Sequence, residues 1–105
     1  MEMILTRGVD TCVLHLRGPV SSDADKAQLS EKLAALVRDE KNLTIDLSGL
    51  SYATSQVLGL FMIAHKGLAQ KRAALTLVAP VDGVRDLLRI TGMDRVFVIR
   101  NEIPK

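Results

Sequence analysis

The chain has 105 residues, of which 14 are lysine or arginine and 12 are aspartate or glutamate, so its formal net charge is only +2. Hydrophobic residues make up 48% of the chain and aromatic residues 3%, which suits one aliphatic core and a single domain over residues 1–105. The balanced charges form no block of one sign, and few rings could stack on bases. We therefore disfavour a nucleic-acid-binding protein.

The sequence carries no recognisable signal for secretion or membrane insertion. The segment "MEMILTRG" lacks the basic region and long apolar core of a signal peptide. The longest apolar run, "VLGLFMIA" (57–64), is far shorter than the roughly 20 residues that a membrane span requires. The lone Cys12 can form no internal disulfide and needs no oxidising compartment. These features predict a cytoplasmic protein without direct membrane insertion.

The chain opens with two strand-like segments, "EMILTR" (2–7) and "TCVLHLRG" (11–18), joined by Gly8-Val9-Asp10. The second segment alternates in hydrophobicity, and the short Gly/Asp connection predicts a β-hairpin that ends at Gly18-Pro19. Residues 21–40 then carry apolar side chains at helical spacing, and Ser22 with Asp25 is typical of a helix N-terminus. The apolar stripe of this helix consists of Leu29, Leu33, Leu36 and Val37.

The rest of the chain alternates strands and helices. The segments 42–47 and 73–79 are predicted strands, and a helix over residues 55–70 lies between them. The segment 81–92 predicts a short helix that Asp82 caps and Gly92 ends. We expect a last strand at "RVFVI" (95–99) and a loose tail at 100–105. The order β-β-α-β-α-β-α-β predicts an α/β fold with a mixed sheet and right-handed crossovers.

No combination of residues predicts catalysis or a bound cofactor or metal. His15 lies in a strand and His65 late in a helix, and neither has the spacing of a metal-binding pair. Gly49 and Gly59 are isolated rather than part of a phosphate-binding loop. Cys12 has no base near it in the sequence, which favours a core position over a nucleophile. We therefore expect a protein that is not an enzyme and has no cofactor.

The turn "SYATS" (51–55) contains more hydroxyl groups than the start of a helix requires. One of them, on Thr54 or Ser55, is explained as an N-cap that accepts a hydrogen bond from a free backbone N–H. The alternative is that Ser55 accepts a phosphoryl group, which would lie near the positive end of the helix dipole. Local chemistry leaves both interpretations open.

The helix over residues 55–70 has a predicted docking surface. Its sheet-facing side consists of Val57, Leu58, Phe61, Ala64 and Leu68. The opposite side carries Ser55 or Gln56, Gly59, Met62 or Ile63, and Lys66. Because a glycine within a helix costs roughly 1 kcal/mol relative to alanine, we expect another surface to approach closely there. An exposed apolar patch beside Ser55 suits a protein partner, and the open alternative is that another segment of this chain covers it.

Nearly the whole chain resembles the STAS domain family, which includes the anti-sigma-factor antagonists. The similarity is carried by a strand that ends in Asp-Leu-Ser (46–48), the turn and helix that follow, and "LLRITGMDRVFVI" (87–99); Gly18 also fits the family. The resemblance implies a STAS-like fold and a non-catalytic regulatory protein of bacterial signalling. It further implies a serine-kinase-type anti-sigma factor as the protein partner.

The resemblance also implies a phosphorylation site. The family commonly carries Asp-Ser-Ser-Gly or Asp-Ser-Ala-Gly at the turn, with its first serine phosphorylated, and this serine corresponds to Ser55. Thr54 and Val57 replace the flanking acid and glycine. Partner contacts are expected from Asp46, Thr54, Ser55, Gln56, Gly59, Met62 and Ile63.

An alternative function within the same family remains open. The chain could be a STAS scaffold that is never phosphorylated, in a sensor assembly or as an accessory subunit of a membrane transport complex. From the resemblance we also expect the family's closing helix to be missing, because only six residues follow Ile99. The sequence leaves the oligomeric state undetermined.

Overall fold

The computed structural model describes residues 1–8, 11–40 and 42–101. The strands are β1 (Glu2–Arg7), β2 (Cys12–Arg17), β3 (Leu43–Gly49), β4 (Leu75–Val78) and β5 (Val98–Arg100). The helices are α1 (Asp23–Asp39), α2 (Ser55–Gln70) and α3 (Asp82–Ile90), and a short 3-10 turn (Met93–Arg95) precedes β5. The predicted α/β element order is confirmed. No helix of the described residues is both long and apolar enough to cross a membrane.

The strands form one mixed sheet in the order β1-β2-β3-β4-β5. β1 is antiparallel to β2, as the predicted hairpin requires, and the remaining neighbours are parallel. Val9 and Asp10 of the hairpin connection lie outside the described residues. The parallel strands follow chain order across the sheet, so connections of one handedness place α1, α2 and α3 on the same face of the sheet. Their buried side chains join alternate residues of the strands in one apolar cluster.

The predicted apolar faces of the two long helices are confirmed. The buried residues of α2 are Val57, Leu58, Phe61, Ala64 and Leu68, the predicted set. In α1, Leu29, Leu33 and Leu36 are buried and Val37 is half-buried. The Ser22 hydroxyl accepts a hydrogen bond from the Asp25 amide at 3.0 Å, so the predicted start of α1 is also correct.

The predicted last strand was misplaced. Residues 95–97 form turn hydrogen bonds instead, because their amides donate to the carbonyls of Gly92 and Met93 and so cannot join the β ladder. Strand β5 therefore begins at Val98, and Arg100, which was expected in a loose tail, pairs with Val78. Residues 102–105 of that tail lie outside the described residues.

Two further boundaries differ from the sequence prediction. Asp82 does not cap α3, since it is the first helical residue and the N-cap is Val81, which makes no side-chain capping bond. The fourth strand begins at Leu75 rather than at residue 73, and it ends before Ala79 because that residue has a left-handed backbone with φ +53°, which breaks the extended conformation. Gly92 has φ +75° directly after the α3 C-cap, as predicted for a residue that ends a helix.

Gly49 lies where β3 meets the end of β2. Its carbonyl accepts a hydrogen bond from the Gly18 amide at 2.8 Å, and a Cβ at this position would lie 2.6 Å from the Leu16 carbonyl oxygen. We expect Gly49→Ala to lower the free energy of unfolding by about 1–3 kcal/mol, because backbone atoms must move apart. Urea unfolding tests this.

The matched control for Gly49→Ala is Gly83→Ala in α3. Apart from its chain neighbours and the backbone of α3 itself, a Cβ at Gly83 would meet no described atom within 4 Å, so this variant should be as stable as the unaltered chain or slightly more stable. Equal unfolding midpoints for the Gly49 variant and the unaltered chain would contradict the predicted clash.

Candidate functional site

The start of α2 shows which of the two adjacent hydroxyls caps the helix. Thr54 has an extended backbone (φ −107°, ψ 168°), and its hydroxyl accepts a hydrogen bond from the Val57 amide at 3.4 Å. Its carbonyl also accepts the first intrahelical bond, from Leu58 at 3.2 Å. Thr54 is therefore the N-cap, and the cap does not use the hydroxyl of Ser55.

Ser55 is the first residue of α2, and it is exposed. The first turn of α2, all of which the structure describes, contains no acidic residue. The partial positive charge of this helix end is thus not offset by a carboxylate in its own first turn. An anionic group attached to the Ser55 oxygen would be electrostatically favoured there and would project into solvent.

Gln56 follows Ser55 and links α2 to α1. Its side-chain oxygen Oε1 accepts a hydrogen bond from Nζ of Lys26 at 2.6 Å. Gln56 is exposed and Lys26 is half-buried. The contact places a cation from α1 beside the residue that adjoins Ser55.

The face of α2 predicted to dock a partner is uncovered in the described part of the chain. The Ile63 side chain is 68% exposed, and apart from its chain neighbours and the backbone of its own helix, no described atom lies within 4 Å of a Cβ built on Gly59. Met62, in contrast, is half-buried and packs against the core, so of the two alternatives, Met62 and Ile63, it is Ile63 that is exposed. We call Ser55, Gln56, Gly59 and Ile63 the α2 docking face, after the prediction that a partner binds there.

An apolar groove that was not predicted adjoins this face, between α1 and α2. It has a volume of about 250 Å³ and is lined by Ser30, Leu33, Ala34, Val37, Leu60, Ile63, Ala64 and Gly67. The helices approach closely beside it, because a Cβ on Gly67 would lie 2.7 Å from Cγ1 of Val37. Small residues such as Ala34, Ala64 and Gly67 indicate that a helix can pack closely against a neighbour. No local pattern in the sequence indicates that α1 and α2 are the two neighbours.

Asp46 does not lie on the α2 docking face. It is only 5% exposed and links β3 to β2, since its Oδ2 is 2.7 Å from Nδ1 of His15. Its Oδ1 accepts a hydrogen bond from the Ser48 amide at 2.9 Å, and the other ring nitrogen of His15 lies 3.0 Å from the Thr6 hydroxyl. Asp46 therefore holds the strand that leads into the turn before α2.

The surroundings of Asp46 favour its ionised form. Burial by itself would raise the pKa of this carboxyl group, but the hydrogen bonds from Ser48 and His15 outweigh that effect and lower the pKa below its ordinary value. The carboxylate is consequently a structural charge at neutral pH.

The sequence matches one known family and one named relative over nearly its full length. Residues 4–100 match a family described as Mlab, STAS domain. The chain is 33% identical over 102 residues to BtrV of Bordetella bronchiseptica, a proposed anti-sigma factor antagonist, with 96% of this chain and 87% of BtrV covered.

Solved structures share the fold. An anti-sigma factor antagonist from Mycobacterium paratuberculosis superposes with a TM-score of 0.87 at 21% identity, covering 97% of this chain and 86% of that protein. The phosphorylated form of SpoIIAA, a Bacillus cell fate determinant, superposes with a TM-score of 0.75 at 17% identity, covering 96% and 93%. The sequence matches establish that the chain belongs to the STAS domain family and is similar to an anti-sigma factor antagonist.

Proposed function

We propose that this chain is a regulatory protein that binds an anti-sigma factor through the α2 docking face, and that phosphorylation of Ser55 releases the partner. The observation that carries the proposal is that the two adjacent hydroxyl groups at the turn, those of Thr54 and Ser55, have different roles. Thr54 caps the helix, which leaves the hydroxyl of the exposed Ser55 free of that role. One and two turns further along α2 lie Gly59, where an added Cβ has open space, and the exposed Ile63. The likeness to BtrV and to phosphorylated SpoIIAA supports it.

The partner in this proposal is an anti-sigma factor with serine-kinase activity. The Ser55 Oγ forms a bond to the γ-phosphorus of ATP, the bond from that phosphorus to the β–γ bridging oxygen breaks, and ADP and the hydroxyl proton leave. The product carries about −1.5 to −2 charges at neutral pH. Burial of this charge against a partner opposes binding, while the dipole of α2 stabilises it in the free chain.

The predicted contact residues divide into two groups in this proposal. Ser55, Gln56, Gly59 and Ile63 contact the partner directly. Asp46, Thr54 and Met62 position that surface from behind, by holding the end of β3, capping α2 and packing on the core.

The second candidate is a STAS scaffold or accessory subunit that is never phosphorylated. Thr54 and Val57 favour it, because they replace the acid and glycine that flank the phosphoserine in the family pattern. The α2 docking face would then bind a partner permanently, and Ser55 would carry no phosphate in cells.

Capture from cells of the source organism tests the proposal. The unaltered chain, Ser55→Ala and Ser55→Asp would be immobilised, and bound proteins would be quantified by mass spectrometry. We expect a kinase-type anti-sigma factor on the unaltered chain and on Ser55→Ala, and its loss from Ser55→Asp. Equal retention of one sensor or transporter subunit on all three would contradict the switch and support the scaffold.

Gly59 offers a test that separates binding from folding. Because no described atom approaches a Cβ at this position, Gly59→Ala should raise the free energy of unfolding by up to about 1 kcal/mol. The added methyl group should nevertheless weaken partner binding by about tenfold, since it obstructs a close contact. Thermal unfolding and titration calorimetry with the captured partner measure the two effects.

Gly83→Ala is the control for this test. It adds the same methyl group to an open position of α3 and should leave partner affinity unchanged. If Gly59→Ala also bound with unchanged affinity, Gly59 would not belong to the docking face.

A further inference from the structure

Lys26 of α1 carries a positive charge that no carboxylate of the described residues pairs with. Its Nζ donates to the neutral Oε1 of Gln56 at 2.6 Å. Among the ion pairs of the described residues, none involves Lys26, although Asp23 and Asp25 lie in the same helical turn of α1. The cation is thus directed across the helix boundary, towards the start of α2.

We propose that Lys26 is the counter-charge for a phosphoryl group on Ser55, and that it exchanges its bond to Gln56 for a bond to the phosphate. The proposal rests on the proposed function in one respect, namely that Ser55 is the residue modified. It adds a specific residue, on a different helix, that determines how the free chain accommodates the modification.

The exchange is favoured because a phosphate is a stronger hydrogen-bond acceptor for Lys26 than the neutral amide of Gln56. Hydrogen bonds between an ammonium group and a phosphate are charge-assisted and roughly twice as strong as those to a neutral acceptor. Gln56 is exposed, so water can replace the lost bond to its amide. The flexible stem of lysine and its three donors allow Nζ to move from one residue to its neighbour in the chain.

The exchange also changes the α2 docking face. In the unmodified chain, Lys26 holds the Gln56 side chain towards α1. Once Lys26 binds the phosphate, Gln56 is released and the phosphate is held against the N-terminal end of α1. Phosphorylation would therefore alter two neighbouring positions of the docking face, rather than adding a charge at one.

Phosphorus NMR on a chain with phosphoserine built in at position 55 during translation tests this proposal. We would titrate the phosphate in the unaltered background, in Lys26→Met and in Lys66→Met. Lys66 is an exposed residue of α2, eleven positions and about 16 Å along the helix from Ser55. Its substitution removes the same charge without removing the proposed contact.

We expect Lys26→Met to raise the pKa of the phosphoserine by about half a pH unit. Lys66→Met should raise it by less than about 0.2, and Lys26→Arg should restore the lower value. Phosphorylation should also move the side-chain amide signal of Gln56 towards its position in unphosphorylated Lys26→Met. Identical titrations with and without Lys26, or equal effects of the Lys26 and Lys66 substitutions, would overturn the proposal.

The result of this titration does not depend on the partner experiment, because the phosphoserine is incorporated during translation and no kinase is needed. Failure to capture a kinase would leave a Lys26-dependent titration intact and refute only the proposed function. An unaffected titration alongside a successful capture would refute only the role of Lys26.

Discussion

Ser55→Asp is expected to weaken partner binding at least about 100-fold, whereas Ser55→Ala should change the affinity by less than about threefold. The aspartate places a carboxylate on the α2 docking face, where the partner would remove water from it without providing a cation. A 100-fold loss corresponds to about 2.7 kcal/mol, which is within the cost of leaving a charge buried and unpaired. Titration calorimetry against the captured partner measures both variants.

The fold should tolerate both substitutions at Ser55. Thr54 provides the capping bond, so Ser55→Ala should change the free energy of unfolding by less than about 0.5 kcal/mol. Aspartate in the first turn of a helix is stabilising. Gln70→Glu adds the same charge to an exposed residue at the other end of α2 and should not affect binding. Tight binding of Ser55→Asp would contradict the proposed switch.

Asp46→Asn should lower the free energy of unfolding by about 1–3 kcal/mol at neutral pH. The substitution removes the negative charge of a buried carboxylate. Oδ2 of that carboxylate lies 2.7 Å from Nδ1 of His15, and its Oδ1 accepts a hydrogen bond from the Ser48 amide. It also introduces an NH₂ group beside ring and backbone donors. Chemical denaturation of the two proteins measures the loss.

The effect of Asp46→Asn should depend on pH in a defined direction. The folded chain lowers the pKa of Asp46 relative to the unfolded value of about 3.9. The carboxylate therefore contributes its full stabilisation above the unfolded pKa and loses it as the pH falls through the folded pKa. The difference between Asp46→Asn and the unaltered chain should therefore shrink as the pH falls below about 4.

An exposed carboxylate provides the control for this pH dependence. Asp86 pairs with Arg89 on the surface of α3 at 2.9 Å, with both side chains more than half exposed. Asp86→Asn should therefore change stability by less than about 0.5 kcal/mol. A loss at Asp46 that persists unchanged in acid would indicate a packing defect rather than a lost charge.

The features predicted well are those determined by nearby residues. Helix α2 begins at Ser55, ends at Gln70 and buries the predicted side chains, because the spacing of apolar residues along a helix is a local pattern. The turn chemistry was only partly predictable. Two adjacent hydroxyls could each cap α2, and only the backbone geometry distinguishes Thr54 from Ser55.

The features that were missed depend on residues far apart in the chain. Asp46 contacts His15, which is 31 positions away, and Lys26 contacts Gln56, which is 30 positions away. The first contact depends on the register of two parallel strands and the second on how two helices align, and neither is specified by a local pattern. The start of β5 was misplaced because the backbone amides of residues 95–97 form hydrogen bonds within a turn.

The most direct test of the switch follows the complex during phosphorylation. The chain and its captured partner would be incubated with MgATP, while native mass spectrometry records the complex and the mass of the free chain. The account predicts that one phosphoryl group appears on Ser55 and that the complex dissociates at the same rate, with neither change in Ser55→Ala. A complex that persists after Ser55 is phosphorylated, or a Ser55 that stays unmodified, would contradict it.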